Sequence, residues 1–222
     1  MQRLRVTFIQ GEELKYISHL DMMRLWQRIL RRADIPLAYS QGFSPHPKLS
    51  LAAPLAIGVT SSSELMDIFL YRRVSPRFFI KAVSSQLPSG LDISEVIEIG
   101  LGLPSLQSQV ASAEYEVAVA TKRVREEVDT SIASLLAKDS LPWQHARDKE
   151  IRKYDLRSLI NNIWLIDYRS SNCTLGMLLR CDSTGTGRTE QVISALGFEN
   201  GPTTIHRTRL ILKQQNRPHR LM

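Results

Sequence analysis

Two kinds of hydrophobic spacing alternate along this chain, and they do so twice in the same order. Apolar residues at every second position mark a strand with one buried face, whereas spacing of three and four marks a helix with an apolar stripe. Arg3 to Ile9 alternates and reads as a strand. Ser18 can cap a helix, with Asp21 three residues on completing a capping box, and Met22, Trp26, Ile29, Leu30 and Ala33 form its apolar face. That helix stops near Asp34, ahead of Pro36. Residues 37–59 are extended but interrupted by Gly42, Pro45, Pro47, Pro54 and Gly58, which predicts two strand pieces around a rigid loop. Glu64 to Tyr71 is a strand, Ser75 and Pro76 open a helix that runs to about Gln86, and Ile93 to Ile99 is a further strand.

The second round begins with a strand from Tyr115 to Ala120 and a helix carrying Val124, Val128, Ile132, Leu135 and Leu136 on one face. Strands follow over Glu150 to Ile160 and Ile163 to Leu179, with a turn at Asn161 and Asn162 and room for a bend in the second near Ser170 to Asn172. A short helix from Thr189 ends at Gly197, and Thr203 to Lys213 is the last strand. Each round reads βαββαβ. The expected fold is therefore α+β: two tandem ferredoxin-like (βαββαβ) units with antiparallel sheets. The expected division is 1–102 for the first unit, 103–113 for a linker rich in Gly, Pro, Ser and Gln, and 114–222 for the second unit with a basic tail.

No stretch reaches the roughly 18 apolar residues of a membrane span, and the N-terminus has no apolar leader, so the expected address is the cytoplasm, with no membrane partner. The only cysteines, Cys173 and Cys181, match no zinc or iron–sulfur spacing, so the chain by itself is not expected to ligate a cluster, and no metal site is expected. The formal net charge of +7 favours a polyanionic partner, nucleic acid foremost.

Four constellations can carry function. Arg24, Arg28 and Arg31 share one face of the first helix, where planar guanidinium forks can follow a phosphate backbone; the bland alternative is a solvated face with Asp21 paired to Arg24. The segment Tyr39, Ser40, Gln41, Gly42, Phe43, Ser44, Pro45, His46, Pro47, Lys48 concentrates turn-forming residues, flat aromatic rings, an imidazole and an ammonium. Stiffened by its prolines, it can present Tyr39, Phe43 and His46 to a base, with Lys48 near phosphate; otherwise its aromatics plug the core. His19 beside Asp21 can orient a ligand or exchange a proton, or simply belong to the helix start. His206, Arg207, Arg209, Lys213, Arg217, His219 and Arg220 make an acid-free terminus, with Arg207 and Arg209 expected on one strand face. Glu64 and Asp67, three apart on a strand, face opposite ways and form no carboxylate pair, although either can anchor an arginine of the first helix.

Ile17, Ser18, His19, Leu20 and Asp21, then Arg31, Arg32 and Ala33, then Pro36 through Lys48, strongly resemble a bacterial family known as radical-SAM-associated (radical-SAM-linked) proteins. The resemblance continues through Ala53, Pro54 and Leu55, Gly58 and Val59, and Glu64 to Asp67, and more loosely to Asp155, Leu156 and Arg157 and to Arg207 and Thr208. It implies a stand-alone accessory unit whose marked positions are His19, Asp21, Arg31, Tyr39, Ser40, Gly42, Phe43, Pro45, His46, Pro47 and Lys48. It also implies a cobalamin-dependent radical SAM partner enzyme, which would carry the iron–sulfur cluster, S-adenosylmethionine and cobalamin. Three readings follow. In the first, a non-catalytic module holds RNA through His19, Arg24, Arg28, Arg31, Tyr39, Ser40, Gly42, Phe43, His46 and Lys48 and presents it to that partner. In the second, by fold analogy with the repeat-processing endonucleases of CRISPR systems, a metal-independent RNA endonuclease uses His19 or His46. In the third, the chain is a protein-only adaptor of the radical SAM enzyme.

Overall fold

The computed structural model describes residues 1–147, 150–169 and 171–213. In chain order the elements are β1 (Gln2–Gln10), α1 (His19–Arg32), β2 (Leu49–Leu51), β3 (Thr60–Leu70), α2 (Pro76–Ser84), β4 (Leu91–Ile99), α3 (Leu106–Gln109), β5 (Val110–Ala120), α4 (Arg125–Leu136), β6 (Pro142–Arg147), β7 (Glu150–Asp155), β8 (Ile160–Arg169), β9 (Asn172–Asp182), β10 (Gly185–Thr186), α5 (Thr189–Ala195) and β11 (Pro202–Leu212). The fold is α+β, with a large, mostly antiparallel sheet and few helices. Nine strands form that sheet in the order β10-β9-β5-β11-β3-β1-β4, with β2 also on β3 and β8 also on β9. Among the described residues no helix is long and apolar enough to cross a membrane.

Two hydrophobic cores lie along the sheet, and Ala52 and Ala53 from the loop before β3 join the second of them. Leu4, Val6 and Phe8 from β1 and Met66, Ile68 and Leu70 from β3 pack under α1 and α2, which contribute Met22, Trp26, Ile29, Leu30, Phe79 and Val83. Trp26 is fully buried and meets the Phe8 ring edge-on, with centroids 5.1 Å apart. The second core joins Val117 and Val119, Leu175, Met177 and Leu179, and the α4 and α5 residues Val128, Ile132, Leu135, Val192 and Ile193. Burial of each such aliphatic or aromatic side chain stabilises the fold by about 1.5–3 kcal/mol.

The helix ends obey local chemistry. Ser18 Oγ accepts the Asp21 amide at 3.2 Å and donates to the Asp21 carboxylate at 2.7 Å. The Asp21 carboxylate thus sits on the capping hydroxyl, where a capping box would place it on the Ser18 amide. Ser75 caps α2 through the Phe78 amide, with Pro76 at its first position. At the far end of α1, Asp34 adopts φ 51°, and the amides of Asp34 and Ile35 close on the carbonyls of Arg31 and Leu30. This left-handed terminus ordinarily takes Gly or Asn.

Several boundaries differ from those expected. The segment expected to link the halves, 103–113, falls on α3 and the first part of β5, and Leu106, Val110 and Ala113 are buried. Its small residues look like a loop, but β9 and β11 pair with them on either side. Asn161 and Asn162 form a bulge in β8 instead of a turn, and β8 pairs antiparallel with β9 out to Arg169 with Asn172. β6 and β7 pair with each other as a separate two-stranded sheet, inserted ahead of β8. In 37–59, one three-residue strand and two isolated bridges replace the two strand pieces.

The halves meet edge to edge. β11 runs parallel to β3 for two residue pairs, His206 with Thr60 and Arg207 with Ser61. Beneath this short ladder Arg207, 1% exposed, donates to Glu64, 3% exposed, through Nε at 2.7 Å and Nη2 at 2.5 Å. Its remaining donors reach the carbonyls of Ala53 and Pro54 at 3.3 Å. Ser61 Oγ donates to the Arg207 carbonyl, and Thr60 Oγ1 lies 2.7 Å from His206 Nδ1. Asp67, on the opposite face of β3, is fully buried between Arg3 and Arg5, whose donors lie 2.6–3.0 Å from it. Arg3 also holds the carbonyls of Leu103 and Pro104, which fixes the connector to the second half. Glu64 and Asp67 do face opposite ways, but their arginines come from β1 and β11, not from α1.

Removing one partner of a buried, hydrogen-bonded ion pair strands the other charge, at about 3–5 kcal/mol. Arg207→Met alone is expected to lower unfolding free energy by that amount in a urea titration. The double variant Glu64→Leu with Arg207→Met is expected to recover most of it. Asp34→Asn is expected to raise stability by about 0.3–1 kcal/mol in the same titration, because it suits the left-handed terminus and removes a negative charge from the helix C-terminus.

Candidate nucleic-acid interface

The segment from Tyr39 to Lys48 is a hairpin rooted in the sheet. The Ala38 amide donates to the Phe69 carbonyl at 2.8 Å, Lys48 N to Ala38 O at 2.8 Å, and Phe69 N to Lys48 O at 3.1 Å. Tyr39 then bridges to Pro47, Ser40 N donates to His46 O at 2.9 Å, and His46 N donates to Ser40 Oγ at 3.0 Å. Pro47 is buried at the base. Gly42 reverses the tip at φ 127°, a conformation that L side chains rarely adopt. This pinning leaves its side chains outside the core: Phe43 is fully exposed and Tyr39 is 41% exposed. His46 and Lys48 are exposed as well.

The same end of the first half collects other segments. Gln2 pairs with Leu70 and Arg3 with Ile99, so β1 begins where β3 and β4 finish. α1 also finishes there, with Arg31 and Arg32 exposed in its last turn, and Pro36 O accepts from Tyr71 N at 3.0 Å. The turn that follows β3 exposes Tyr71, Arg72 and Arg73, and the first turn of α2 exposes Arg77 and Phe78. Arg72 lies 6.0 Å from the Tyr71 ring centroid, and Arg73 pairs with Glu98 at 3.1 Å. Across these segments Arg31, Arg32, Lys48, Arg72, Arg73 and Arg77 are exposed, and the exposed acids are Asp34 and Glu98. Residues 71–78 were not singled out from the sequence. Their signal is an acid-free run, 68–91, that carries three arginines and Lys81.

Of the other expected residues, Arg28 is exposed one turn before Arg32, and His19 and Arg24 lie nearer the start of α1. His19 is the first residue of α1, about 20 Å of helix axis from Arg32 at a rise of about 1.5 Å per residue. It lines a cavity of about 10 Å³ with Phe8, Gln10, Leu55 and Glu64, so it does not join His46. Arg24 pairs with Asp21 at 3.0 Å, and Arg28 Nε donates to the Arg24 carbonyl at 3.4 Å. The Ser18 hydroxyl, and after it Arg24, hold the Asp21 carboxyl below its ordinary pKa.

The C-terminal basic cluster is built into the fold as far as it is described. A bulge at Thr208 turns Arg209 away from Arg207, so the two do not share a face: Arg209 pairs with Glu114 at 2.8 Å, and Arg207 lies under the seam. Lys213 donates to the Ser108 carbonyl. Arg217, His219 and Arg220 lie outside the described residues. Burial opposes the charge on Arg207, but Glu64 and Tyr115 more than offset it and hold the guanidinium protonated. A cavity of about 280 Å³ opens beside Arg207, lined by Pro54, Tyr115, Cys181 and Arg188 among others. Cys173 and Cys181 are free and buried, and burial pushes both thiols up. Among the described residues no three His, Cys, Asp or Glu gather as a metal site.

Residues 3–189 match the model of a family described as "Uncharacterized protein conserved in bacteria (DUF2344)", and the chain belongs to that family. No curated protein matches the sequence. In fold it is similar to a chain in the crystal structure of a Cbf5-Nop10-Gar1 complex, at 10% identity and a TM-score of 0.52, over 94% of this chain and 48% of that one. A chain of the archaeal box H/ACA sRNP Nop10-Cbf5 complex gives 10% identity and a TM-score of 0.48, over 94% and 47%. The chain spans about half the length of the solved chains it matches.

Because the hairpin side chains point to solvent, Phe43→Ala, His46→Ala and Lys48→Ala are each expected to change unfolding free energy by less than about 0.5 kcal/mol. Chemical denaturation of each variant checks this.

Proposed function

We propose that this DUF2344 protein is an accessory module, without catalysis of its own, that binds RNA at the basic end of its first half and presents it to a cobalamin-dependent radical SAM enzyme. The observation that carries the RNA half is Phe43. A fully exposed phenyl ring contributes nothing to the core, yet it sits at the tip of a hairpin whose base is held by the sheet through Ala38 and Lys48 and closed by Ser40 and His46. Exposed cations surround that end, as a phosphate backbone requires. Arg28, Arg31 and Lys48 meet phosphates in this reading, Tyr39, Phe43 and His46 meet a base, and Ser40 and Gly42 shape the hairpin. His19 and Arg24 lie outside it.

The partner half of the reading is supported by the resemblance of Ile17–Asp21 and Pro36–Lys48 to radical-SAM-associated proteins, and the partner would carry the iron–sulfur cluster, S-adenosylmethionine and cobalamin. The strand order supports reading each half as a ferredoxin-like unit. The first half runs β4-β1-β3-β2 and the second β11-β5-β9-β8, which in both is fourth, first, third, second, with every neighbouring pair antiparallel.

The test is the salt dependence of binding to an RNA oligonucleotide. Each phosphate neutralised on a single strand contributes a slope of about −0.7 in log K against log salt, so three contacts give about −2. The triple variant Arg28→Ala, Arg31→Ala, Lys48→Ala is expected to flatten the slope, and Arg24→Ala to leave it unchanged. A native slope near zero would sink the RNA reading. Recovery of a radical SAM enzyme equally with and without ribonuclease, and with no RNA crosslinked to Tyr39–Lys48, would instead make the chain a protein adaptor.

A further inference from the structure

Among the described residues five aromatic side chains are exposed: Tyr16, Tyr39, Phe43, Tyr71 and Phe78. Four of the five lie at the end of the first half where α1, β3 and the hairpin finish; only Tyr16 lies at the other. Folding does not require them there. On α2, Phe79 is fully buried, and its neighbour Phe78, 56% exposed, turns the other way. Tyr71, 62% exposed, sits just past the last paired residue of β3. Cations accompany them: Arg72 near the Tyr71 ring, Arg73 two residues on, and Arg77 beside Phe78. Arg73 is held only by a surface pair with Glu98, which a phosphate can replace at little cost.

Duplex RNA hides its base faces in its own stack and offers mainly phosphates and 2′-hydroxyls. A site for duplex needs cations and gains little from exposed rings. Exposed rings become useful when bases are unpaired, because every base has a face on which to stack. We infer that this end takes an unpaired RNA segment, a loop or a single-stranded end, and that the turn 71–78 is a second wall of the site. The hairpin offers Tyr39 and Phe43, the turn offers Tyr71 and Phe78, and Arg72, Arg73 and Arg77 meet the backbone between stacked bases. This rests on the RNA-binding reading above and adds to it the class of RNA and residues 71–78.

The experiment is fluorescence anisotropy with three probes on the full chain: a single-stranded RNA of mixed sequence, the same sequence displayed as a hairpin loop, and its perfect duplex. The single strand and the loop are expected to bind at least about ten-fold more tightly than the duplex. Tyr71→Ala and Phe78→Ala are each expected to weaken single-strand binding about five-fold or more, as loss of one stacked base does. Glu98→Gln, which frees Arg73, is expected to tighten binding, and Tyr16→Ala to leave it unchanged. Thermal melts of each variant confirm that the fold is intact. Duplex bound as tightly as single strand, with Tyr71→Ala and Phe78→Ala neutral, overturns this inference and leaves the RNA-binding reading standing. No salt-dependent binding to any probe overturns both.

Discussion

The Arg207–Glu64 pair determines how the two halves of the molecule relate. The ladder between β11 and β3 contains two residue pairs, too few to specify by itself which edges meet and in what register. A buried guanidinium without its carboxylate is strongly disfavoured, so any join that separates Arg207 from Glu64 is disfavoured with it. The carbonyls of Ala53 and Pro54 complete the same fork, which ties the loop before β3 to the last strand of the chain. Asp67 does the corresponding work on the other face: Arg3 and Arg5 close on it, and Arg3 reaches across to the connector. Two acids three residues apart on one strand thus hold the seam on one face and the connector on the other.

The position of that seam leaves the proposed interface open. β11 pairs only with the first two residues of β3, Thr60 and Ser61, while β2 pairs with the same strand at Met66 to Ile68. The ladder between the halves therefore lies at the His19 end of α1. The opposite end, where β3 passes into the turn 71–78 and the hairpin is rooted at Phe69, lies away from that ladder; there Arg3 holds the connector, and Ser50 Oγ of β2 donates to Gln107 Oε1 of α3. Position in the fold, more than residue type, separates the two groups of arginine. Arg3, Arg5 and Arg207 are consumed inside by Asp67 and Glu64, whereas Arg31, Arg32, Arg72 and Arg77 face water.

Features legible in the sequence were those specified by neighbours along the chain. Ser18 and Ser75 announce their helices because a cap and its amide are three residues apart. The apolar stripe from Met22 to Leu30 announces which face of α1 is buried, and the Gly and Pro residues of 39–48 announce a rigid loop. What stayed hidden depends on partners far along the chain. Val110 to Ala113 is a strand because β9 and β11 flank it, and Asn161 and Asn162 do not turn because β9 continues past them. The bulge at Thr208 cannot be read from alternation, since one extra residue is enough to send Arg209 to the other face. The same limit applied to the site. His19 and Tyr39–Lys48 are near in sequence but α1 carries them to opposite ends, while Tyr71 and Phe78 are brought to the hairpin's end by β3.

Cations alone do not distinguish an interface from a solvated face. Arg31 and Arg32 occupy the last turn of α1, where positive charge favours the helix by itself, so their presence has a sufficient local cause. Exposed rings have no such cause, since each leaves apolar area in water that a polar residue at the same position would not. Rings gathered at one end also invite association between copies of the chain. The surrounding excess of positive charge opposes that association, because two such ends repel. The same charge attracts a polyanion whose bases can cover the rings. Rings and cations together thus select against a second copy of this chain and for a partner that is negatively charged and has flat apolar faces, a combination that unpaired nucleic acid supplies.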